Sequence, residues 1–311
     1  MSLTITNSTY NGVHAGEYLA AGLLSNDTVA NGGVTVKANI LHKQVLNVVS
    51  TAGNLIVDAT CDYTPSGSTN MVEKVLTLKD FQINQTICKS TFAQDWLAAE
   101  AGFSTHRDIP STFSKFIIEH FSGQIAASME TMIWQGDQMF GNQFNGFKQL
   151  AFIDQDVIDV QSTPITSGNI AAKLAEVVDA IPSTILYSPN MRIYMGSKDL
   201  QKYIRSLGGF ASGGQGAAGI ENKGSLWYNG QQLTVDGVAI FHAPGLPENE
   251  IFAAETTNLH YGLSLLSDQQ EIKLIDTSET LGDDNIRFVA RFSAGVQFAK
   301  GNEIVFRRNE G

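Results

Sequence analysis

"MIWQGDQMFGNQFNGFKQLAF", residues 132–152, follows a long run of helical periodicity and packs Trp134, Asp137 and three glycines into a few positions. Glycines let a backbone approach a ligand closely, and Trp beside Asp can hold a substrate, so an active-site loop is one reading and a plain turn the other. The residues before it bear on the choice. Phe113, Phe116, Ile117, Phe121, Ile125, Met129, Met132 and Ile133 recur at intervals of three and four, the mark of a helix buried along one stripe. The pattern predicts a spine helix over 111–135, starting near Pro110 and ending at Gly136. Twenty-odd residues at about 1.5 Å each make a rod of over ~30 Å, enough to span a domain. Gly123 inside it costs about 1 kcal/mol relative to Ala, which predicts a close backbone crossing or a bend.

Upstream, residues 1–33 are small and polar around "HAGEYLAAGLL" and read as an extended arm. Strand-like runs follow in "GVTVKANILHKQVLNVVS", "NLIVDATCDYT" and "EKVLTLKDFQI", broken by the turn former "TPSGSTN". Together they predict a projecting hairpin with long strands. Thr91 and Gln94 form a capping box for a short helix that Gly102 terminates. Downstream, Ile170, Leu174, Val177, Val178 and Ile181 mark an amphipathic helix stopped by Pro182, and "TILYSP" has strand character. Ser197 can cap a helix carrying Leu200, Tyr203, Ile204 and Leu207, before a glycine-rich loop. The remainder reads as strands: "QLTVDGVAIFHAP", "EIFAAE", "LHYGLSLL", "EIKLIDT", "NIRFVARFSAGVQFA" and "NEIVF". The class is α+β, without an internal repeat.

The chain has 311 residues, enough for two linked domains or one with long extensions. Charged residues make up 16%, below the roughly one quarter usual in soluble domains, which suits a surface largely covered by partners. A formal charge of -11 opposes tight nonspecific binding to phosphate backbones. Cys61 and Cys88 are the only cysteines; without disulfide-scaffold or Cys-x-x-Cys spacing they read as structural free thiols. No signal peptide and no membrane-spanning stretch is evident, so the expectation is a cytosolic soluble chain in which the sequons at Asn7, Asn26 and Asn84 carry little meaning.

Each pattern that suggests chemistry has a plainer reading. Gly214, Gly216 and Gly219 satisfy G-x-G-x-x-G, but a dinucleotide fingerprint needs a strand before and a helix after, and here a helix precedes. A mobile loop is the expectation, with no cofactor. The histidines at 14, 42, 106, 120, 242 and 260 stand singly, without metal-ligand spacing. Asp154, Asp156 and Asp159 in "FIDQDVIDV" could collect a divalent cation, yet the glycine and final glutamate of a calcium loop are missing. Alternation with Ile153, Val157, Ile158 and Val160 predicts a strand edge with solvated acids. No catalytic residue, cofactor or metal is expected.

The order of these elements resembles the tailed-bacteriophage major capsid proteins, the Hong Kong 97-type fold. The resemblance runs through "EKVLTLKDFQINQTICKSTFAQDWLAAEAGF", the spine helix and "WQGDQMFGNQFNGFKQLAF", to the closing "DNIRFVARFSAGVQFAKGNEIVF". Family members carry Gly-Asp after the helix and Gly-Leu further on. Here these are Gly136, Asp137 and Gly146, with Phe147 in place of Leu. The resemblance implies an N-terminal arm (1–37), an extended loop (38–80), a peripheral domain (81–166) with return strands (268–311), and an axial domain (167–267). Gly208, Gly209, Gly213, Gly214, Gly216 and Gly219 would then lie near the capsomer axis.

It further implies a non-enzymatic protein of the virion, made in the host cytoplasm, whose hexamers and pentamers build an icosahedral head around double-stranded DNA. Its partners would be itself, a portal, a separate scaffolding protein, and DNA through weak contacts; no membrane is involved. An encapsulin-like nanocompartment shell and, less favoured, a soluble nucleotide-binding α+β enzyme are the alternatives. In this frame the opening stretch becomes a structural corner of Trp134, Gly136, Asp137, Asn145, Gly146 and Phe147. Gly136 is read as the C′ stop, Asn145–Gly146 as a tight turn, and Trp134 as the anchor of the helix end against a sheet.

Overall fold

The computed structural model describes residues 9–10, 26–59, 61, 66–88, 111–207, 233–264, 273–277, 282–283 and 285–309. The expected short helix at 91–102, most of the N-terminal arm, His14 and His106 lie outside the described residues. The architecture is α+β, as expected.

The spine helix, α2, spans Ser111–Gln135 and follows α1 (Asp27–Ala30). Ile117, Ile118, Ile125, Met129 and Ile133 are buried along it, and Phe121 stacks on Phe288 at 4.6 Å. Side chains of residues 111–116, Phe113 and Phe116 among them, lie outside the described set. The stripe packs on β13 (Asn285–Phe298), where Ile286, Phe288, Ala290, Phe292, Ala294, Val296 and Phe298 alternate inward. That period of two is what a strand with one buried face requires. β13 pairs along ten residues with β5 (Lys79–Cys88), at its start with β12 (Lys273–Asp276), and at its end with β11 (Leu259–Leu263). β1 (Thr9–Tyr10) and β2 (Thr35–Lys37) extend this first sheet.

The second sheet has the order β6-β14-β10-β7-β9-β8, with β6 Ile158–Ser162, β7 Met191–Met195, β8 Thr234–Val235, β9 Val238–His242, β10 Ile251–Glu255 and β14 Val305–Asn309. It separates two cores. Phe252, Ala254 and Phe306 face the core shared with the spine helix. Ile251, Ala253, Ile193 and Val305 face α4 (Ile170–Ala180) and α5 (Ser197–Leu207). Sequence periodicity marks the α4 stripe correctly: Ile170, Leu174, Val177, Val178 and Ile181 are all buried. Asp236 and Gly237, both at positive φ, close the β8–β9 hairpin as a primed turn does.

Some expectations fail for identifiable reasons. A Cβ on Gly123 would meet nothing within 4 Å, so of the crossing and the bend expected there, the crossing is absent among the described residues. "TILYSP" forms successive turns, with Ile185 and Leu186 donating back to the Pro182 carbonyl, and the strand begins only at Met191. "NLIVDATCDYT" is no strand over its described residues; Leu55, Ile56 and Val57 lie exposed at the hairpin end. Ile153 ends a helix, α3 (Phe147–Ile153), and the strand after it starts at Ile158.

Sheet membership also crosses the segment bounds that the resemblance implies. β6 (within 81–166) and β14 (within 268–311) join the sheet of β7, β9 and β10, while β11 (within 167–267) pairs with β13. β14 can do this because it is buried on both faces: Val305 points to one core, Phe306 to the other.

Two predictions follow from burial. Gly123→Ala removes a helix-interior glycine without a clash and is expected to stabilise the chain by about 0.5–1 kcal/mol in urea unfolding; a loss would mean the position is sterically constrained. His260 on β11 is buried, and its Nδ1 has no partner. Burial, then the nearby Lys37 charge, pushes its pKa down to about 4 from 6.5. The unfolded chain therefore binds the extra proton between these values, and stability falls as pH drops from 6.5 towards 4 and levels below. Unfolding of His260→Gln measured across this window is expected to lack that component; identical profiles would show that His260 does not titrate this way.

Candidate functional site: the projecting hairpin and the helix-end corner

At the corner the chain reverses after α2 within a crowded backbone knot. Gly136 N–H donates to Met132 O at 3.0 Å, and Gly146 N–H donates to Gly136 O at 2.7 Å. A Cβ on Gly136 would lie 2.4 Å from Phe144 O, and one on Gly146 2.7 Å from Gly136 N. Both glycines are required by space. Neither has positive φ, so Gly136 is not a left-handed C′ cap; the left-handed residues are Gly141 and Asn142. Asn145–Gly146 is likewise not a primed turn: Gly146 is extended and precedes α3. Asn145 acts through its side chain, accepting from Gln138 N–H at 2.9 Å, and Asp137 accepts from Met139 N–H at 2.8 Å.

Trp134 is fully buried at this helix end. Its ring meets Phe147 at 5.5 Å, Tyr194 at 5.1 Å and Phe252 at 5.7 Å, so it packs on β7 and β10 of the second sheet. Its indole Nε1 donates to Thr28 Oγ1 at 2.8 Å. Thr28 donates its hydroxyl and its N–H to the Glu130 carboxylate at 2.6 and 2.9 Å, and Gly245 N–H adds a third bond at 3.3 Å. Tyr194 Oη donates to Gly33 O. Glu130 and Thr28 were not singled out from sequence. The available signal was a carboxylate one position from Met129, inside the buried stripe.

β3 (Lys43–Ala52) and β4 (Ser68–Thr77) form a two-stranded ribbon with ten facing pairs. At its base Leu46 and Leu76 are buried with Ile40 and Leu78. One face of the ribbon, from this base outwards, carries Val45 opposite Val75 and Val49 opposite Met71, all exposed, with Asn47 and Glu73 between. Isolated two-stranded ribbons are marginal in water, so this apolar ladder lacks the cover that would stabilise it. A groove of about 360 Å³ lies at the ribbon base, among Val75, Leu78, Phe144, Leu150 and Val296. Met139 and Phe140 at the corner are also exposed.

The remaining sequence candidates scatter. Asp154 caps α3 and pairs with Lys74, while Asp159 is gripped by Arg308 through Nε and Nη2, which holds its carboxyl below the usual range. Among the described residues no group of His, Cys, Asp and Glu could hold a metal ion, and no helix is long and apolar enough to cross a membrane. His242 bonds to Ser197 Oγ at 2.9 Å; His120 is exposed beside Phe121. Cys61 and Cys88 are exposed and not joined in a disulfide. Gly208, Gly209, Gly213, Gly214, Gly216 and Gly219 lie outside the described residues. Arg307 is another residue sequence reading missed: buried on β14, it donates to the carbonyls of Asn249 and Thr163. Burial lowers its pKa against the opposing pull of Glu176, Asp199 and Glu250.

No family model and no curated protein matches the chain. Solved structures do. A chain of the satellite phage P4 procapsid including the size determination (Sid) protein is similar over 94% of this chain and 90% of its own, with 9% identity and a TM-score of 0.62. A chain of Gordonia phage Cozz covers 92% and 87% at 11% identity and 0.60. The virus-like particle from Pyrococcus furiosus covers 94% and 96% at 10% identity and 0.51. The chain therefore has the α+β fold of tailed-phage major capsid proteins.

The buried carboxylate gives the sharpest test of this site. Glu130→Ala leaves three donors, two from Thr28 and one from Gly245, without an acceptor, an expected loss of about 3 kcal/mol or more. Glu130→Gln keeps one acceptor oxygen and should fall between. Thermal unfolding of the full chain checks the order, and an Ala variant as stable as wild type would remove the network from any structural role.

Proposed function

We propose that the chain is the major capsid protein of a tailed phage, assembling as hexamers and pentamers into an icosahedral shell that encloses double-stranded DNA. The observation that carries this reading is the fold likeness to a procapsid chain over 94% of this chain and 90% of the other. The exposed apolar ribbon supports it physically, because Val45, Val49, Met71 and Val75 gain burial only against another molecule. So does the low charge content, since interface cores are depleted in charged residues. In this reading the protein is structural and not an enzyme, and it resides in the virion after assembly in the host cytoplasm.

Within the proposal, arm (1–37) and ribbon (38–80) reach neighbouring subunits. The spine helix with the return strands forms the peripheral part, and 167–267 the axial part, with the loop from Gly208 to Gly219 towards the capsomer axis. A portal and a scaffolding protein are the partners such a head calls for. With a net charge of -11, contact with packaged DNA would be weak.

Electron microscopy of the full chain, alone and with its scaffold partner supplied, tests the reading. Closed shells are expected; a small globular species under both conditions would sink it, and shells filled with protein cargo instead of DNA would favour a nanocompartment. A second test uses the ribbon. Asn47 and Glu73 face each other, so residues 48–72 can be replaced by a two-residue turn while Leu46 and Lys74 stay in place. This variant is expected to keep its fold by circular dichroism and to form no stable shells. Wild-type assembly without the ribbon would show that it makes no essential contact.

A further inference from the structure

The β3–β4 ribbon is a long lever on a narrow footing. Only Leu78 separates β4 from β5, and there the chain crosses β13 so closely that a Cβ on Gly295 would lie 2.4 Å from Thr77 O. Leu78 N–H bonds to His42 O at 3.0 Å, closing the base of the ladder. Leu76, Leu78 and Ile40 fill the space above Gly262, where a Cβ would come within 2.8 Å of Leu76. These contacts hold the hinge but leave the tilt of the ribbon to whatever touches it further out.

Lys74, opposite Leu46 in the ladder, is that contact. Its ammonium pairs with Asp154 and sits 4.4 Å from the centre of the Phe298 ring. Lys74 and Asp154 side chains are 19% and 21% exposed, so the pair is screened by salt less than a surface pair would be. Asp154 is itself rigidly placed. As the cap of α3 it donates its N–H to Leu150 O at 3.0 Å, accepts from Asp156 N–H at 3.0 Å, and lies against Gly301. α3 follows directly on its N-cap Gly146, inside the knot at the end of the spine helix.

We propose that the Lys74–Asp154 pair, seated on Phe298, is a latch that sets the direction of the ribbon and ties it to the end of the spine helix. Closed, it holds the ribbon on the body; open, it frees the ribbon to swing about Leu78. Thr69 is nine residues from Leu78 along the strand, a lever of roughly 30 Å, so a swing of ~10° moves it by about 5 Å. The same swing moves Met71, seven residues from Leu78, by about 4 Å and Val75, three residues away, by about 2 Å. Among the described residues the other ionic contacts, such as Lys202 with Asp199 and Glu248, lie within the body and have no such lever.

The native cysteines provide a ruler. Cys88, at the end of β5, marks the body; Thr51→Cys with Cys61→Ser moves the second thiol onto the paired ribbon opposite Thr69. Spin labels at these two positions, in full chain diluted with unlabelled chain and kept unassembled, give a ribbon-to-body distance by electron resonance. The unmodified latch should show one narrow distance. Lys74→Met keeps an apolar stem over Phe298 without the charge, and Asp154→Asn keeps the acceptor for Asp156; each should broaden and shift the distance by several ångströms. The charge exchange Lys74→Glu with Asp154→Lys should narrow it again, which a merely steric role would not do. An unchanged distance in both single variants, or an exchange variant as broad as they are, overturns the latch. Because the chains are unassembled, failure of the shell reading leaves this result standing.

Discussion

The buried carboxylate of Glu130 ties together three parts of the chain that are distant in sequence. It accepts from Thr28 twice and from Gly245 once, and Thr28 in turn accepts from Trp134. A carboxylate this buried is tolerable only when its lone pairs are filled by donors. Meeting that condition docks α1 and the turn after β9 onto the last turns of α2. The aromatic contacts of Trp134 with Phe147, Tyr194 and Phe252 then bring the second sheet to the same point.

From this node the two cores diverge. β13, β11 and β5 take the stripe of the spine helix on one side, and the second sheet, buried on both faces, carries α4 and α5 on the other. The ribbon has no share in either large core and rests on its own small cluster of Ile40, Leu46, Leu76 and Leu78. The described contacts that hold it lie at its base, with the Lys74 ion pair and the buried Leu46 sharing the outer rung of that footing. A rigid body with a weakly anchored apolar lever is a suitable subunit for a shell in which one chain must meet neighbours in more than one geometry.

How far the sequence could be read depended on how local the cause was. The spine helix and α4 were legible because burial of one stripe imposes a period that survives in the residue order; β13 was legible for the same reason at period two. "NLIVDATCDYT" misled because an apolar β-branched run looks the same whether it pairs in a sheet or lies exposed at the end of a ribbon. Gly123 and Gly136 show the opposite errors. Gly123 was read as a close crossing or a bend, and no crossing backbone is present among the described residues. Gly136 was assigned a left-handed φ, when the true constraint is the Phe144 carbonyl eight residues later.

The sequence by itself determined the elements and their order: a spine helix ending before Gly136, an amphipathic α4, a projecting ribbon and alternating closing strands. These follow from propensity and periodicity, which act over a few residues. The tertiary structure alone decided which strands share a sheet, why Gly136, Gly146 and Gly245 can carry no side chain, and what satisfies Glu130 and Arg307. Those outcomes depend on atoms brought together from far apart in the chain, 144 residues between Arg307 and Thr163 and more between β1 and β12, and no local pattern encodes such a meeting. The 132–152 stretch illustrates both halves. Its place after the helix was plain from the residue order, whereas its geometry as a backbone knot was set by the sheets and loops that close around it.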